Sequence, residues 1–412
     1  MNKQKTLLVV GGGAAGFFCA INAAAMNPSL KIIIIEKTSK VLSKVKISGG
    51  GRCNVTNDCF DIEELAKKYP RGQQFLRKAF HQFNPKHTIQ WFKERNIILK
   101  AEPDGRMFPA TNSSQTIIDC FLSEINKHAI ELMVNCEVVE IQKHETEFTI
   151  ITSNATTITA HFLCIATGGY PKSLQFDWLK KIGHTIDEPI PSLFSFNIPN
   201  AAITQLMGIS VNNVTVKIAG TKLQQQGAIL ITHWGLSGPV ILKLSAFAAK
   251  ELNDKKYQFV IVVNWLGNKN ENSLQEEWHT LRINSATKKM GYANPFQLPN
   301  RLWQYLLQQS FIDENIRWAE LTSKQQNLLI KNITAQELKV NGKTTFKEEF
   351  VTCGGIVVNE IDVNTMQSKK MEHLFFAGEV LNIDGITGGF NFQNAWTTAW
   401  IAAKNISEIS MQ

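Results

Sequence analysis

Read as a pattern of apolar and polar positions, the chain opens on a continuous apolar run, Thr6–Val10, of the length expected for a buried parallel strand. Glycines follow at 11, 13 and 16, and the Ala-rich stretch 17–26 predicts a helix. A second apolar strand at 31–35 ends on Glu36. Residues 61–96 predict helices broken by Pro70 and Pro85, and 105–109 (GRMFP) predicts a turn. Apolar residues at helical spacing predict a helix over 114–128, and alternation predicts strands at 131–141, 147–151 and 157–165. From Pro189 the pattern becomes strand after strand (192–198, 211–218, 222–231, 257–263), then polar and helical over 269–340. Strand character returns at 346–358 and at HLFFAGEV, with a helix leading through Ala403.

The glycine-bearing turns carry the candidate chemistry. Gly11-x-Gly13-Ala14-Ala15-Gly16 sits between strand and helix, and Glu36 falls 20 residues after Gly16. This is the dinucleotide fingerprint: a tight turn, close backbone approach to a pyrophosphate, and a carboxylate for a ribose hydroxyl, with Lys37 beside it. Residues 44–57 place Gly50, Gly51, Arg52, Cys53 and Asn54 in a backbone-rich loop able to approach a planar ring or phosphate, Arg52 being the phosphate candidate. Ala166-Thr167-Gly168-Gly169 closes a strand in the manner of a second cofactor contact. Gly378-Glu379 and then Gly388, Gly389, Phe390 and Asn391 at a helix start make a far-end clamp for a flavin: the acid on ribitol hydroxyls, the helix N-terminus on the pyrimidine edge. Both ends of an FAD site thus lie on one chain. His233 and Ser237 lie in THWGLSGP without a strand–GxSxG–helix context, which excludes a hydrolase elbow.

Composition changes the picture in two places. Seven cysteines, odd in number and without CxxC, point to reduced thiols and a cytoplasmic protein, and no segment reads as a membrane span. The net charge is +8, and residues 65–100 hold nine Lys/Arg against one acid, with Phe75, Phe80, Phe83, Trp91 and Phe92 interleaved. That stretch reads either as a polyanion footprint or as a solvated helical face whose aromatics point into the core. No metal-ligating cluster stands out.

With GGGAAG, SGGGRCNVTN, ATGG, THWGLSGP, CGG and AGEV…GITGGFNFQNAW in order, the chain resembles the YhiN-type (BaiN/RdsA) flavoprotein family over its whole length. Two departures stand out: PKSLQFDWLKKIG is short and lacks glycine until Gly183, and Leu381-Asn382 stands where an acid often follows Glu-Val. The resemblance implies an α/β fold with a discontinuous, glutathione-reductase-like Rossmann FAD domain (1–190 and 353–412). It also implies an inserted β-barrel domain (191–268 and 341–352) and a helical subdomain (269–340). It implies FAD, NAD(P)H as a transient co-substrate, and reduction of a uridine in large-subunit (23S) ribosomal RNA to dihydrouridine. A small-molecule amine or aminoacetone oxidase and a non-catalytic FAD-containing RNA-binding protein are the other readings. Cys53, His233 and Cys353 are the candidate proton donors, with Arg52 placed to tune Cys53 and simple packing beneath the ring as the alternative for Cys53. Lys67, Lys68, Arg71, Arg77 and Lys78 are the candidate RNA contacts.

Overall fold

The computed structural model describes residues 4–267, 269–345 and 351–412. The chain forms two compact units, 1–191 with 347–412, and 192–346.

In the first unit the apolar runs assemble into a five-stranded parallel sheet in the order Leu374–Phe376, Phe162–Ile165, Thr6–Val10, Lys31–Ile35, Glu131–Met133. Thr6–Val10 is central, which explains its near-continuous hydrophobicity: both faces are covered, and Leu7, Leu8 and Val9 are fully buried. The helix Ala14–Met26 packs against the C-terminal helix Phe390–Ser410. Phe18 is the joint: its ring lies 4.7 Å from Trp91 and 5.1 Å from Trp396.

Four expectations change. Residues Arg106–Pro109, expected as a turn, form a strand between Thr56–Asn57 and Leu99–Ala101, because Gly105 just before it makes the turn at φ +83°. The run expected as one strand over 131–141 divides into Glu131–Met133 in the parallel sheet and Val138–Lys143 in an antiparallel one. The run 157–165 divides at His161, whose Nδ1 accepts from the Thr6 N–H at 3.1 Å. A period-2 pattern cannot show that a strand changes sheets. Residues 44–57, expected as a loop, begin as the helix Ser43–Gly51, broken where Ser48, Gly49 and Gly50 leave helical geometry. The first part of the run expected at 346–358 lies outside the described residues, and Val351–Ile356 is a strand.

The second unit is a seven-stranded sheet with every neighbouring pair antiparallel, in the order Gln336–Asn341, Gln258–Asn264, Ser210–Ile218, Gln224–Thr232, Gly235–Ser237, Ser195–Asn197, Lys343–Thr344. Its first and last strands are consecutive in sequence, joined by Gly342. The Gly342 N–H donates to Tyr257 O at 2.8 Å, and the Asn197 N–H donates to Gly342 O at 3.0 Å. The sheet therefore closes on itself as a barrel, which leaves no long edge exposed. Its helices Glu271–Ser285, Asn300–Gln309 and Ser323–Thr334 share one apolar cluster with the strands. Trp265, Trp278, Trp303 and Trp318 are fully buried in it.

Candidate functional site

The glycine turns of the first unit converge at the C-terminal ends of the central strands, where open α/β sheets bind ligands. Gly11 cannot carry a side chain: a Cβ there would lie 2.4 Å from Ala166 O, so the first turn rests on the Ala166–Gly169 turn. Gly16 is tighter, its Cβ falling 1.9 Å from Gly11 O. Gly378 packs against Ala15, with 2.9 Å from its Cβ position to Ala15 Cβ. Gly169 faces Thr352 and Glu379 in the same way, 2.6 Å from Thr352 Oγ1 and 3.0 Å from Glu379 Oε1. Segments more than two hundred residues apart thus meet at one place.

Other glycines open outward. A Cβ at Gly13, Gly50, Gly51 or Gly168 would meet no protein atom within 4 Å. Gly13 and Gly168 belong to the turns that meet at Gly11 and Ala166, so bare backbone lines a cradle there. Thr352 Oγ1, beside Gly169, is buried without a hydrogen-bond partner among the described residues. An unpaired buried polar group is costly, and its presence together with the bare backbone fits a polar, extended ligand such as FAD.

At one end, Glu36 accepts from the Gly12 N–H at 2.9 Å and from the Thr38 N–H and Oγ1 at 3.0 Å. The carboxylate is thereby held beside the glycine turn, with one of its roughly four lone-pair positions free of these donors. Glu36→Ala is expected to lower the flavin-to-protein ratio while the fold persists; absorbance at full wild-type ratio would remove Glu36 from the site. Lys37 is exposed, its ammonium 5.1 Å from the Tyr170 ring centroid.

At the other end, Glu379 is held by the Thr352 N–H at 3.0 Å and by Lys44 Nζ at 2.7 Å. The C-terminal helix starts at Phe390 after Gly389 at φ +89°. Its ladder begins with the Gln393 N–H on Gly389 O, so the amides of its first turn precede any intrahelical partner. Asn391 closes the loop before it, bonding Gly385 N–H and O at 2.8 and 3.0 Å. Asn54, with its amide turned to satisfy both contacts, accepts from the Gly389 N–H and donates to Thr56 O. Trp396 Nε1 donates to Val55 O at 2.8 Å. The loop 48–57 is therefore clipped along the start of this helix. Asn382 donates to the Asp187 carboxylate, where an acid would repel it.

The structure gives several candidate residues protein partners or surroundings of their own. Arg52 NH1 pairs with Glu102 at 2.6 Å and its guanidinium stacks 3.9 Å from the Phe108 centroid. Cys53 is fully buried, at φ +61°, and burial pushes its thiol up to about 12 against a lowering hydrogen bond with Ser48. Cys353 is also fully buried, in the strand Val351–Ile356, whereas His233 is exposed on the second unit.

Arg71 leaves the expected RNA face, because its guanidinium grips the fully buried Asp384 through both Nε and NH2. Lys67 pairs with Glu64 and Arg77 with Glu63. Phe80, Phe83, Trp91 and Phe92 are core residues, so the aromatic interleaving reflects packing against Phe18 and Trp396. Sequence reading missed Thr352, Lys44 and Tyr69. Tyr69 donates to Phe390 O at 2.7 Å.

The family model described as HI0933-like protein Rossmann domain matches residues 5–405. Over 408 residues the chain is 28% identical to a ribosomal RNA dihydrouridine synthase of Escherichia coli (strain K12), 97% of each chain being covered. Over 413 residues it is 25% identical to a 3-dehydro-bile acid delta(4,6)-reductase of Clostridium scindens, covering 97% of this chain and 98% of that one. Among solved structures, 3-ketosteroid delta1-dehydrogenase from Sterolibacterium denitrificans shares the fold with a TM-score of 0.52 at 11% identity, over 98% of this chain and 100% of that one.

Proposed function

This chain belongs to the HI0933-like family, and we propose that it is an FAD-dependent oxidoreductase that reduces a uridine of 23S ribosomal RNA to dihydrouridine. The observation that carries the reading is the meeting of the glycine turns at 11–16, 166–169 and 378–379, in a chain collinear almost end to end with a relative of that name. Gly11, Gly13 and the first amides of the helix Ala14–Met26 would hold the pyrophosphate, and Glu36 the adenosine ribose. Glu379, Gly388, Gly389 and the start of the C-terminal helix would hold the ribitol and ring, with Ala166–Gly169 and Gly50–Asn54 along the middle. When bound, FAD supplies a hydride, taken from NAD(P)H in a transient encounter, for C6 of uracil. C6 is electrophilic because the C4 carbonyl draws charge from the C5=C6 bond, and C5 then takes a proton.

The chain's own part is orientation and exclusion of water. The positive end of the helix Phe390–Ser410 would stabilise negative charge on a reduced ring held at its start. We read Cys53 as packing, because its side chain is fully buried and that burial raises the thiol away from the range suited to proton transfer near neutrality. Cys53→Ala is expected to keep its flavin and to turn over within about tenfold of wild type, whereas loss of a general acid costs about 10²–10⁴-fold. A loss of that larger size in Cys53→Ala would make the thiol the donor. The same measurement on His233→Ala tests the exposed candidate.

Charge favours an anionic substrate: of the five candidate cations Arg71 is consumed by Asp384, Lys67 and Arg77 face Glu64 and Glu63, and Lys68 and Lys78 form no ion pair among the described residues. A small-molecule reductase is the second reading, supported by the near-full-length likeness to the bile-acid enzyme. Nucleoside mass spectrometry of 23S rRNA from a strain lacking the gene separates the two. Dihydrouridine should vanish at one position and return on complementation; an unchanged level overturns the RNA reading.

A further inference from the structure

The basic excess of the chain is concentrated in one unit. Residues 192–346 hold sixteen Lys/Arg against nine Asp/Glu, a net +7 of the chain's +8, so the flavin-binding unit is close to neutral. Within it, 278–312 contains Arg282, Lys288, Lys289 and Arg301 and no acid.

The fold gathers part of this charge onto a rigid strip. Residues 286–291 run antiparallel to 314–319: Ala319 N–H to Ala286 O at 3.1 Å, Trp318 N–H to Lys288 O at 3.1 Å, Met290 N–H to Ile316 O at 2.9 Å, Gly291 N–H to Glu314 O at 2.9 Å. Met290 and Trp318 are fully buried and anchor the strip to the core. Their neighbours Lys288, Lys289 and Arg317 are exposed. Tyr292, just beyond, is 82% exposed. Among the described residues none of the three cations forms an ion pair. The nearby acids are turned to other partners: Asp313 to the Asn315 amides, Glu320 to the Arg317 N–H, Glu314 to Gln304. Lys289 makes one contact, with Asn315 Oδ1 at 3.3 Å. Lys67, Arg71 and Arg77, by contrast, already face carboxylates.

We propose that the strip Lys288–Lys289–Tyr292–Arg317 is a docking surface for single-stranded RNA, its cations on phosphates and the Tyr292 ring stacked on a base. Unpaired cations set beside an exposed aromatic ring on a fixed backbone match what a single strand offers, alternating charge and π-faces. The inference rests on the RNA reading of the function and names the surface that holds the strand outside the flavin cradle.

The test uses the full-length, flavin-loaded chain and a fluorescein-labelled, uridine-rich single-stranded RNA of about 12 nucleotides, with anisotropy measured from low to physiological salt. Tyr292→Ala should weaken binding roughly 5- to 150-fold, the span of one base stack, while Tyr292→Phe should stay near wild type. Lys288→Gln/Lys289→Gln/Arg317→Gln should flatten the slope of log affinity against log salt by about 2, three phosphates at about 0.7 each. Flavin absorbance should be unchanged in all variants, which are exposed and distant in sequence from the cradle. Wild-type binding matched by these variants, with loss on Lys68→Gln/Lys78→Gln instead, overturns the strip and leaves the function standing. A wild-type chain that does not bind this single strand overturns the strip, whereas the functional reading falls only with an unchanged dihydrouridine level in the nucleoside measurement above.

Discussion

Gly13→Val should give a folded, colourless protein. Gly13 has an ordinary backbone angle, φ −95°, and its Cβ position is empty to 4 Å, so the apoprotein has no reason to reject a side chain. The isopropyl group would instead stand where the pyrophosphate approaches the backbone. Gly16→Val should behave differently, because its Cβ would collide with Gly11 O at 1.9 Å and no rotamer relieves a clash with backbone. We expect near-complete loss of flavin from both, but a wild-type melting profile of the apoprotein only for Gly13→Val. Flavin absorbance, identification of the flavin released by heat, and thermal melting of apo and loaded forms decide it. A yellow Gly13→Val, or release of FMN alone from wild type, would refute the site.

Arg71→Ala should lower the apparent melting temperature of the flavin-binding unit by roughly 6–20 °C. Asp384 is completely buried and Arg71 nearly so, and removing one partner of a buried pair strands the other charge at a cost of about 3–5 kcal/mol. The pair also ties residue 71 to the loop ahead of the C-terminal helix, where Gly72 packs on Ile383 and the Ile386 N–H donates to Lys68 O at 2.9 Å. Flavin affinity should therefore fall along with stability. Arg71→Met/Asp384→Asn should recover much of the melting temperature, since it leaves no unpaired charge. An Arg71→Ala protein that melts like wild type would show that Asp384 finds its counter-charge elsewhere.

The comparison of Arg71 with Lys288 shows where sequence reading reached its limit. Nothing local in the sequence separates the two cations; one is clamped beneath a loop that arrives 313 residues later, and the other faces open solvent. The stretch 75–92 failed for the same reason. Its aromatics follow helical spacing whether they meet RNA or Phe18, and only the packing of Trp91 and Phe92 on distant helices decides.

The opening strand–helix–strand unit, the fingerprint from Gly11 to Glu36, the ATGG turn and the helix after Gly389 were legible in the chain, because each is a local conjunction of period and glycine geometry within about 30 positions. The separate β-rich character after Pro189 was legible for the same reason, as a change of period. Closure of that sheet into a barrel through Gly342, the division of two strand runs between sheets, the diversion of Arg52 to Glu102, the burial of Cys53 and the pairing of Arg71 with Asp384 depended on tertiary structure alone. A sequence records which groups a residue can satisfy, but which partner reaches it, and whether water does, is decided only when segments far apart in the chain are packed together.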